Sequence, residues 1–157
     1  MAKAAGVPFE TTLRVRDAYL CLHAQRAARA LARRFDRAFR PFGLTNGQFS
    51  LMMSLNRPEP PAMAAVAQFL AMDRTTLTAA LKPLVRRGLV STAPDPTDKR
   101  SRRLTLTPRG RATLAQAASV WEATHAELEA SLPQSDPERL RQGLNAVTAL
   151  SSPDASP

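Results

Sequence analysis

The sequence predicts a mainly α-helical protein that carries one small β-hairpin. Apolar residues recur at helical spacing over most of the chain, and one central segment alternates polar and apolar side chains with period two. No segment reaches the run of roughly 18 apolar residues that crosses a membrane. The change from helical to alternating pattern falls within residues 72–107, which also carry the main functional signal.

Residues 73–88 predict a helix with two different faces. Asp73 suits the N-cap because its carboxylate can accept the unpaired N–H groups of the first turn, and Gly88 suits the end. The apolar face consists of Leu77, Ala80, Leu81 and Leu84, and the opposite face of Thr75, Thr78, Ala79, Lys82 and Arg86. Hydroxyls and cations without a carboxylate fit the major groove of DNA. Pro83 is expected to bend the helix, because it removes one hydrogen bond at a cost of about 3 kcal/mol.

The predicted hairpin follows this helix directly. Residues 89–93 and 103–107 form its strands, and residues 94–102 form a turn-rich basic loop. Between Asp73 and Arg103 there are eight Lys or Arg against three Asp. A solvated turn beside an amphipathic helix would explain any one of these features. Their combination favours a DNA-binding unit.

This part of the chain resembles the winged helix-turn-helix of MarR-type transcriptional regulators. The matching segments are residues 73–78 (DRTTLT), 84–90 (LVRRGLV), 98–100 (DKR) and 104–107 (LTLT). The resemblance extends over roughly residues 13–150. It implies a sequence-specific regulator that binds double-stranded DNA as a homodimer.

The recognition helix and the wing supply the candidate DNA contacts. In helix-turn-helix geometry the N-terminal residues of the second helix approach the bases. We therefore expect base or phosphate contacts from Arg74, Thr75, Thr76 and Thr78, and phosphate contacts from Lys82 and Arg86. The resemblance implies that Arg100 enters the minor groove, where narrow tracts concentrate negative potential. Asp98 is expected to hold the loop by pairing with a neighbouring arginine. Further phosphate candidates are Lys99, Arg102 and Arg103.

The overall charge is consistent with a polyanionic partner. The 157 residues carry a net charge of +9, with a pI of about 11.3. An anionic membrane is the competing partner, but no basic amphipathic end or lipidation motif supports it. The pattern shows no signal peptide, so we expect a cytoplasmic protein. The charge is unevenly placed, since residues 112–157 hold two Lys or Arg against six acids.

The remaining helices predict the domain organisation. Residues 1–9 are expected to be a flexible arm, residues 10–40 one long helix, residues 41–107 the winged helix-turn-helix, residues 108–150 two C-terminal helices and residues 151–157 a disordered tail. Thr45 and Gln48 fit a capping box, and residues 62–70 fit the first helix of the helix-turn-helix. A helix of about thirty residues exceeds the needs of a small domain. We therefore expect the first and last helices to interleave with a second copy.

A second group of candidates concerns an effector. The resemblance implies a pocket between the dimerisation helices and the winged helix, often for phenolic or aromatic carboxylate compounds. The ligand or redox candidates are Tyr19, Cys21, His23, Arg26, Trp121 and His125. Trp121 would form an aromatic wall, and Arg16 or Arg26 would meet a carboxylate. His125 is expected to be a hydrogen-bonded core histidine.

Cys21 supports an alternative mechanism. Some relatives sense peroxide through a cysteine near this position, which requires a depressed thiol pKa and hence nearby donors or cations. On a continuous helix, Tyr19 lies about 200° from Cys21 and would reach it only from another subunit. A buried and inert cysteine is the favoured interpretation.

Other function classes find no support in the pattern. One cysteine and two histidines, in no ligand spacing, predict no metal site and no cofactor. The chain lacks a Gly-rich phosphate loop, a nucleophile elbow and a carboxylate dyad, so an enzyme is not expected. A winged helix used only for protein contacts is the remaining alternative. The expected function is a homodimeric repressor that a small aromatic or phenolic ligand releases from a pseudo-palindromic operator, and the alternative is a peroxide-sensing repressor that acts through Cys21.

Overall fold

A computed structural model describes residues 6–132 and 136–150 of the chain. Within these residues it contains seven α-helices and one two-stranded antiparallel sheet, which confirms the predicted fold class. The elements are α1 (Phe9–Ala18), α2 (Leu20–Phe39), α3 (Asn46–Ser54), α4 (Met63–Phe69), α5 (Arg74–Arg86), β1 (Val90–Pro94), β2 (Arg102–Leu106), α6 (Pro108–Ala130) and α7 (Pro137–Ala149). The predicted tail and most of the predicted N-terminal arm lie outside the described residues.

The core joins the central helices to the hairpin. Its fully buried side chains include Phe39, Leu51, Met52, Leu77, Leu84, Leu89, Val90 and Leu104. The rings of Phe39 and Phe49 stack with their centroids 4.3 Å apart and tie α2 to α3. Because every element from α2 to α6 contributes to this one cluster, the hairpin and α5 are held in a fixed relation.

The single long helix predicted for residues 10–40 is wrong. Tyr19 adopts an extended conformation (φ −77°, ψ 100°) that separates α1 from α2. Asp17, Tyr19 and His23 all have low helix propensity, so little local energy opposes the break. The His23 ring also compensates for it, since Nε2–H donates to the carbonyl oxygen of Asp17 at 3.2 Å.

Side-chain caps begin the helices that frame the DNA-binding unit. The capping box is confirmed, because Thr45 accepts from the N–H of Gln48 while Gln48 accepts from the N–H of Thr45. Asp73 caps α5 as predicted, and the Thr107 hydroxyl caps α6 by accepting from Gly110. α5 continues through Pro83 to Arg86, and the predicted bend there stays a prediction.

A tight turn connects α4 to α5. Ala71 has a positive φ of 51°, a conformation in which a Cβ is normally unfavourable. Two backbone bonds hold the turn: the N–H of Met72 donates to Ala67 and that of Ala71 to Gln68. This pattern is that of a Schellman-type helix end, and it fixes the angle at which the recognition helix leaves the first helix.

The strands begin and end one residue away from their predicted limits. β1 pairs with β2 so that Thr92 lies opposite Leu104, and Thr107 is excluded from β2 because it caps α6. The segment before α4 also joins this hairpin, since the N–H of Leu104 donates to the carbonyl of Pro61 at 3.0 Å. The wing is thereby anchored to the helix-turn-helix along one edge.

The terminal helices bear apolar side chains that the single chain does not bury. α1 and α7 contain no buried residue. The exposed apolar side chains of these helices and of the start of α2 are Phe9, Val15, Leu20, Leu140, Leu144 and Val147. None of the described helices is both long and apolar enough to cross a bilayer.

Gly110 marks a close approach between α6 and Leu89, the residue that precedes the hairpin. A Cβ added there would overlap the backbone carbonyl of Leu89, which cannot move aside as a flexible side chain could. We expect Gly110→Ala to lower the free energy of unfolding by about 1–3 kcal/mol through overpacking, as measured by urea denaturation. Gly47→Ala is the matched control: a Cβ there meets nothing within 4 Å, and higher helix propensity should stabilise the protein slightly. Equal midpoints for the two variants would contradict the close approach.

Candidate nucleic-acid interface

The recognition helix α5 presents its predicted polar face to solvent. Leu77, Leu81 and Leu84 are buried, as the periodicity predicts. The candidate contacts on the other face are all exposed: Arg74, Thr75, Thr76, Thr78, Lys82 and Arg86. The buried leucine side of α5 therefore determines which side chains a duplex would meet.

Internal hydrogen bonds limit what the threonines of α5 can do. The Asp73 carboxylate accepts from both the N–H and the hydroxyl of Thr76, each at 2.7 Å, and these bonds lower the pKa of Asp73. The Thr78 hydroxyl donates to the carbonyl of Arg74 at 2.7 Å. Since each hydroxyl has one proton, Thr76 and Thr78 are left with acceptor lone pairs. They are suited to accept from base amino groups rather than to donate.

Asp98 shapes the tip of the wing, but not in the predicted way. The prediction that it pairs with a neighbouring arginine side chain is wrong. Its carboxylate accepts from the backbone N–H of Arg100 at 2.9 Å, and its carbonyl accepts from the N–H of Ser101. This Asx-type turn forms because a short carboxylate reaches the backbone two residues ahead more easily than a mobile guanidinium. It leaves the Arg100 side chain exposed at the tip.

The carboxylate that pairs with an arginine in the wing is Asp95. Arg103 is predicted above to contact phosphate, but its Nε donates to Asp95 at 2.5 Å and its Nη1 donates to the carbonyl of Pro60 at 2.9 Å. Asp95 is 4% exposed. Hydrogen bonds from the hydroxyl and N–H of Thr97, and then the pairing with Arg103, lower the pKa of Asp95 to about 2. Arg103 therefore ties the wing to the segment before α4, and its contact with phosphate stays a prediction.

Two adjoining grooves bring the helix and wing cations together. The first, of about 470 Å³, lies between α5 and the hairpin, and its lining includes Arg74, Thr78, Lys82, Arg86, Thr92 and Arg102. The second, of about 400 Å³, is lined in part by Arg74, Asp98, Arg100 and Arg102. Arg74 and Arg102 line both grooves. Thr75, Thr76 and Lys99 are exposed but line neither groove, and Thr92 is a groove residue that the sequence pattern did not single out.

Arg87 has a structural role that the pattern did not reveal. At the end of α5 its guanidinium donates to the carbonyls of Gly43 and Phe42. It thereby satisfies carbonyls released where the chain leaves α2 and turns toward α3. The recognition helix is fixed at its C-terminal end by this contact and at its N-terminal end by Asp73.

The break before α2 changes the surroundings of Cys21. The statement that Tyr19 reaches Cys21 only from another subunit is wrong, because a hydrogen bond to Cys21 in the same chain raises the pKa of Tyr19. Gln25 Nε2 also donates to the Cys21 sulfur at 3.3 Å. The expectation of a buried cysteine is wrong for the single chain as well, since Cys21 is exposed.

The remaining effector candidates divide between two places. Trp121 lines an apolar groove of about 460 Å³ between α3, α4 and α6, together with Phe49, Met53, Phe69, Leu70 and Arg57. The Trp121 and His125 rings stack at 5.0 Å, and His125 Nε2 lies 3.1 Å from Glu129, so His125 is hydrogen-bonded but half-buried. Neither arginine that was predicted to meet a carboxylate lines this groove, since Arg16 pairs with Asp17 and Arg26 lies on α2. The cation that lines the groove is Arg57. His23 lies at the start of α2, beside the helix break.

The described residues contain no group of three or more His, Cys, Asp or Glu side chains that could hold a metal ion.

The chain is similar to known DNA-binding proteins in both sequence and structure. Residues 44–110 match the family model of a winged helix DNA-binding domain. The transcriptional regulator MosR of M. tuberculosis, solved in complex with DNA, is 36% identical; the match covers 84% of this chain and 95% of MosR, with a TM-score of 0.76. MarR of E. coli, solved as a mutant with operator DNA, is 25% identical over 86% of this chain and 97% of MarR, with a TM-score of 0.75. The chain belongs to the MarR family.

Other relatives agree with this assignment. The transcriptional repressor CouR, bound to a 23-mer DNA duplex, is 27% identical over 92% of this chain and 99% of CouR, with a TM-score of 0.72. The transcriptional activatory protein BadR of Rhodopseudomonas palustris is 34% identical over 89 residues, which are 55% of this chain and 47% of BadR. The match thus spans about half the length of this curated relative. These relatives of the MarR-family chain are transcriptional regulators rather than enzymes, and three of them are solved with DNA.

The pairing of Asp95 predicts how the wing responds to acid. A pKa of about 2, against an ordinary value of 3.8, means that the folded protein favours the charged carboxylate. The contribution of the charged Asp95 carboxylate to the stability of the folded protein is complete above about pH 4 and is lost as the pH falls from about 4 to about 2. We expect Asp95→Asn to be less stable than the unmodified protein at pH 7, with the difference narrowing over that interval. Urea denaturation at pH 7, 4, 3 and 2 measures it, and a difference independent of pH would contradict the assignment.

Proposed function

We propose that this protein is a homodimeric repressor of the MarR family that binds a pseudo-palindromic operator and releases it on binding a small aromatic or phenolic ligand. One observation carries the DNA-binding part: α5 and the wing hold their cations on adjoining grooves that share Arg74 and Arg102. The relatives solved with DNA support it. The choice of repressor follows CouR, which matches over nearly its full length, rather than the partial match to BadR.

The proposed dimer would bury the exposed apolar faces of the terminal helices. Leu140, Leu144 and Val147 recur at helical spacing along α7, and each is about half exposed in the single chain. Val15 and Leu20 offer a similar surface on α1 and α2. A dimer built from these helices presents two recognition helices, which we expect to read half-sites about 10 bp apart.

The proposed contacts follow the exposed side chains. Arg74, Thr75, Thr76 and Thr78 are assigned to base edges or nearby phosphates, and Lys82, Arg86, Lys99 and Arg102 to phosphates. Arg100 is assigned to the minor groove, in the position that the Asp98 turn gives it. Arg103 is left out because Asp95 and Pro60 already bind its guanidinium.

Replacing Arg100 tests the wing. We expect Arg100→Ala to weaken DNA binding by about 1–3 kcal/mol without loss of fold, because the wing turn depends on the backbone of residue 100 and not on its side chain. Fluorescence polarisation with a duplex selected by the protein from a random pool measures this. Arg14→Ala, on α1, is the control for loss of one exposed charge. Unchanged affinity of the Arg100 variant would remove the wing from the interface, and affinity insensitive to salt would favour a protein-contact module instead.

The apolar groove that contains Trp121 is the proposed effector site. Phe49, Phe69 and Trp121 give it aromatic walls, and the Arg57 guanidinium lies 5.8 Å from the centre of the Phe69 ring. An aromatic acid would stack on these walls and place its carboxylate at Arg57. The groove lies between the C-terminal helix α6 and the helices α3 and α4 of the DNA-binding unit. A ligand there would shift the population of dimers whose recognition helices match the operator spacing.

A second candidate function is release by peroxide. It is favoured by one local observation: Cys21 is exposed, and Gln25 of the same chain donates a hydrogen bond to its sulfur. Hydrogen peroxide transfers one oxygen atom to a cysteine thiolate, so that the sulfur becomes a sulfenic acid while hydroxide leaves and takes up a proton to become water.

One experiment separates the two release mechanisms. The complex with selected DNA is treated with benzoate, with 4-hydroxybenzoate or with hydrogen peroxide, and dissociation is followed by polarisation. The effector proposal predicts release by an aromatic acid, quenching of Trp121 fluorescence, unchanged release in Cys21→Ser, and at least tenfold weaker response in Arg57→Gln. The thiol mechanism predicts release by peroxide that Cys21→Ser abolishes. Peroxide release that persists in Cys21→Ser excludes the thiol switch, and aromatic-acid release that persists in Arg57→Gln excludes Arg57.

A further inference from the structure

Five arginines form a continuous line along α2 and the turn that follows it. They are Arg26, Arg29, Arg33, Arg37 and Arg40, and all five are exposed. Their spacing of three or four residues confines them to an arc of about 80° around the helix and spreads them over about 21 Å. Phe35 and Phe39, which are buried in the core, lie on the opposite side of the same helix. We call these five residues the arginine stripe.

The chain itself does not neutralise this charge. None of the ion pairs among the described residues involves a member of the stripe. The one acid within the stripe's length, Asp36, uses its carboxylate to accept from the N–H of Asn46 at 2.6 Å. Glu127, the acid that reaches α2 from α6, pairs with Arg34. The stripe is thus an unbalanced row of charge on a folded helix.

A second copy of the chain has few free acids to offer. Among the described acids, Glu10, Glu59 and Glu122 form no ion pair, whereas Glu129 and Glu138 pair with Arg141, and Asp136 caps α7. Asp17, Asp73, Asp95 and Asp98 are likewise engaged in ion pairs or turns. The stripe therefore fits an external polyanion better than it fits the partner subunit of the proposed dimer.

The stripe lies away from the proposed operator surface. α2 packs against α3 and α6, whereas α5 packs against α3, α4 and β1 and approaches the end of the stripe at its C-cap, where Arg87 binds the carbonyls of Phe42 and Gly43. We therefore expect a duplex seated on the N-terminal part of α5 and on the wing to leave most of the stripe free. Whatever binds the stripe would bind independently of the first duplex.

We propose that the arginine stripe is a second, sequence-independent DNA surface that binds the phosphates of a separate duplex, so that the protein bridges two DNA segments. Guanidinium forks match phosphate oxygens, and a row without aromatic or large apolar neighbours offers charge but no pocket for a peptide side chain. An interfacial membrane helix would need its whole apolar face free, and Phe35 and Phe39 of that face are buried in the core. The inference rests on the proposed function only in taking α5 and the wing as the first DNA surface.

A bridging assay with the full chain tests this proposal. A mixed-sequence 30-bp duplex is fixed to beads and loaded with protein in 50 mM salt, and capture of a second, fluorescent duplex of the same length is measured. We expect Arg29→Gln/Arg33→Gln/Arg37→Gln to reduce capture at least tenfold while affinity for the first duplex changes less than twofold. The matched triple substitution to Lys should restore most of the capture, since phosphate contacts of this kind need charge. Circular dichroism verifies that both variants keep their helices.

A second arm separates the two surfaces. The double variant Arg74→Ala/Arg100→Ala should bind less tightly through the first surface and keep a residual duplex binding. The affinity of that residual binding should fall with salt concentration with a log–log slope of roughly 2–3 for three phosphate contacts, and the triple Gln substitution should remove it. Capture by the triple Gln variant equal to that of the unmodified protein overturns the proposal. So does capture that depends on Arg74 and Arg100 alone, or stripe-dependent binding of polyglutamate that is tighter than binding of the duplex. Should Arg74→Ala/Arg100→Ala instead keep full affinity, the proposed operator surface fails while the stripe is still tested by the Gln variant.

Discussion

The structure depends on the way α5 buries one side of itself. Leu77, Leu81 and Leu84 pack into the same core as the hairpin residues Leu89, Val90 and Leu104, so helix and wing are positioned by one set of contacts. Burial of this side of α5 has two consequences. It turns the threonines and cations of α5 outward, and it brings the wing alongside them so that both sets of cations line adjoining grooves. The outward position of the polar and basic side chains thus follows from apolar packing. This packing contributes roughly 25 cal/mol to the free energy of folding for each Å² of apolar surface removed from water.

Features of the structure that depend on residues close together in the sequence were predicted from the sequence. The Thr45–Gln48 capping box, the Asp73 cap and the two faces of α5 depend on residues a few positions apart, and each was found where it was predicted. The break at Tyr19 was missed because no Gly or Pro marks it, and because its compensation comes from the His23 ring four residues on. The internal partners of Arg103 were missed for a different reason: Asp95 and Pro60 are brought to it only by folding. A basic loop in a sequence does not distinguish cations that hold the loop together from those left for a ligand.

The two ends of the chain differ from its centre in what they leave exposed. From α3 to α6 the core buries most of the large apolar side chains, with Met53, Phe69 and Val85 exposed, whereas α1, α7 and the start of α2 contain no buried residue. Exposed arginines lie along another side of α2. Apolar exposure of this kind is costly in water and is normally covered by a partner, while an exposed row of guanidinium groups is well solvated until a polyanion replaces the water. The same helix α2 therefore has two surfaces that call for different occupants. The N-terminal apolar surface favours a second copy of the chain, and the arginine stripe favours phosphate.

A continuous set of contacts leads from the proposed effector groove to α7. Trp121 forms part of the groove wall and stacks on His125; His125 lies 3.1 Å from Glu129, and Glu129 accepts from Arg141 of α7 at 2.6 Å. Arg141 also pairs with Glu138, so the first turns of α7 are tied to α6 through one shared carboxylate. An aromatic ligand that moves the Trp121 ring would alter the His125 stack and with it the competition between His125 and Arg141 for Glu129. Because α7 carries the apolar face that we assign to the dimer, a change in its position would alter the separation of the two recognition helices. The effector proposal is thus linked to operator spacing by named contacts, in which His125 connects the Trp121 ring of the groove to Glu129.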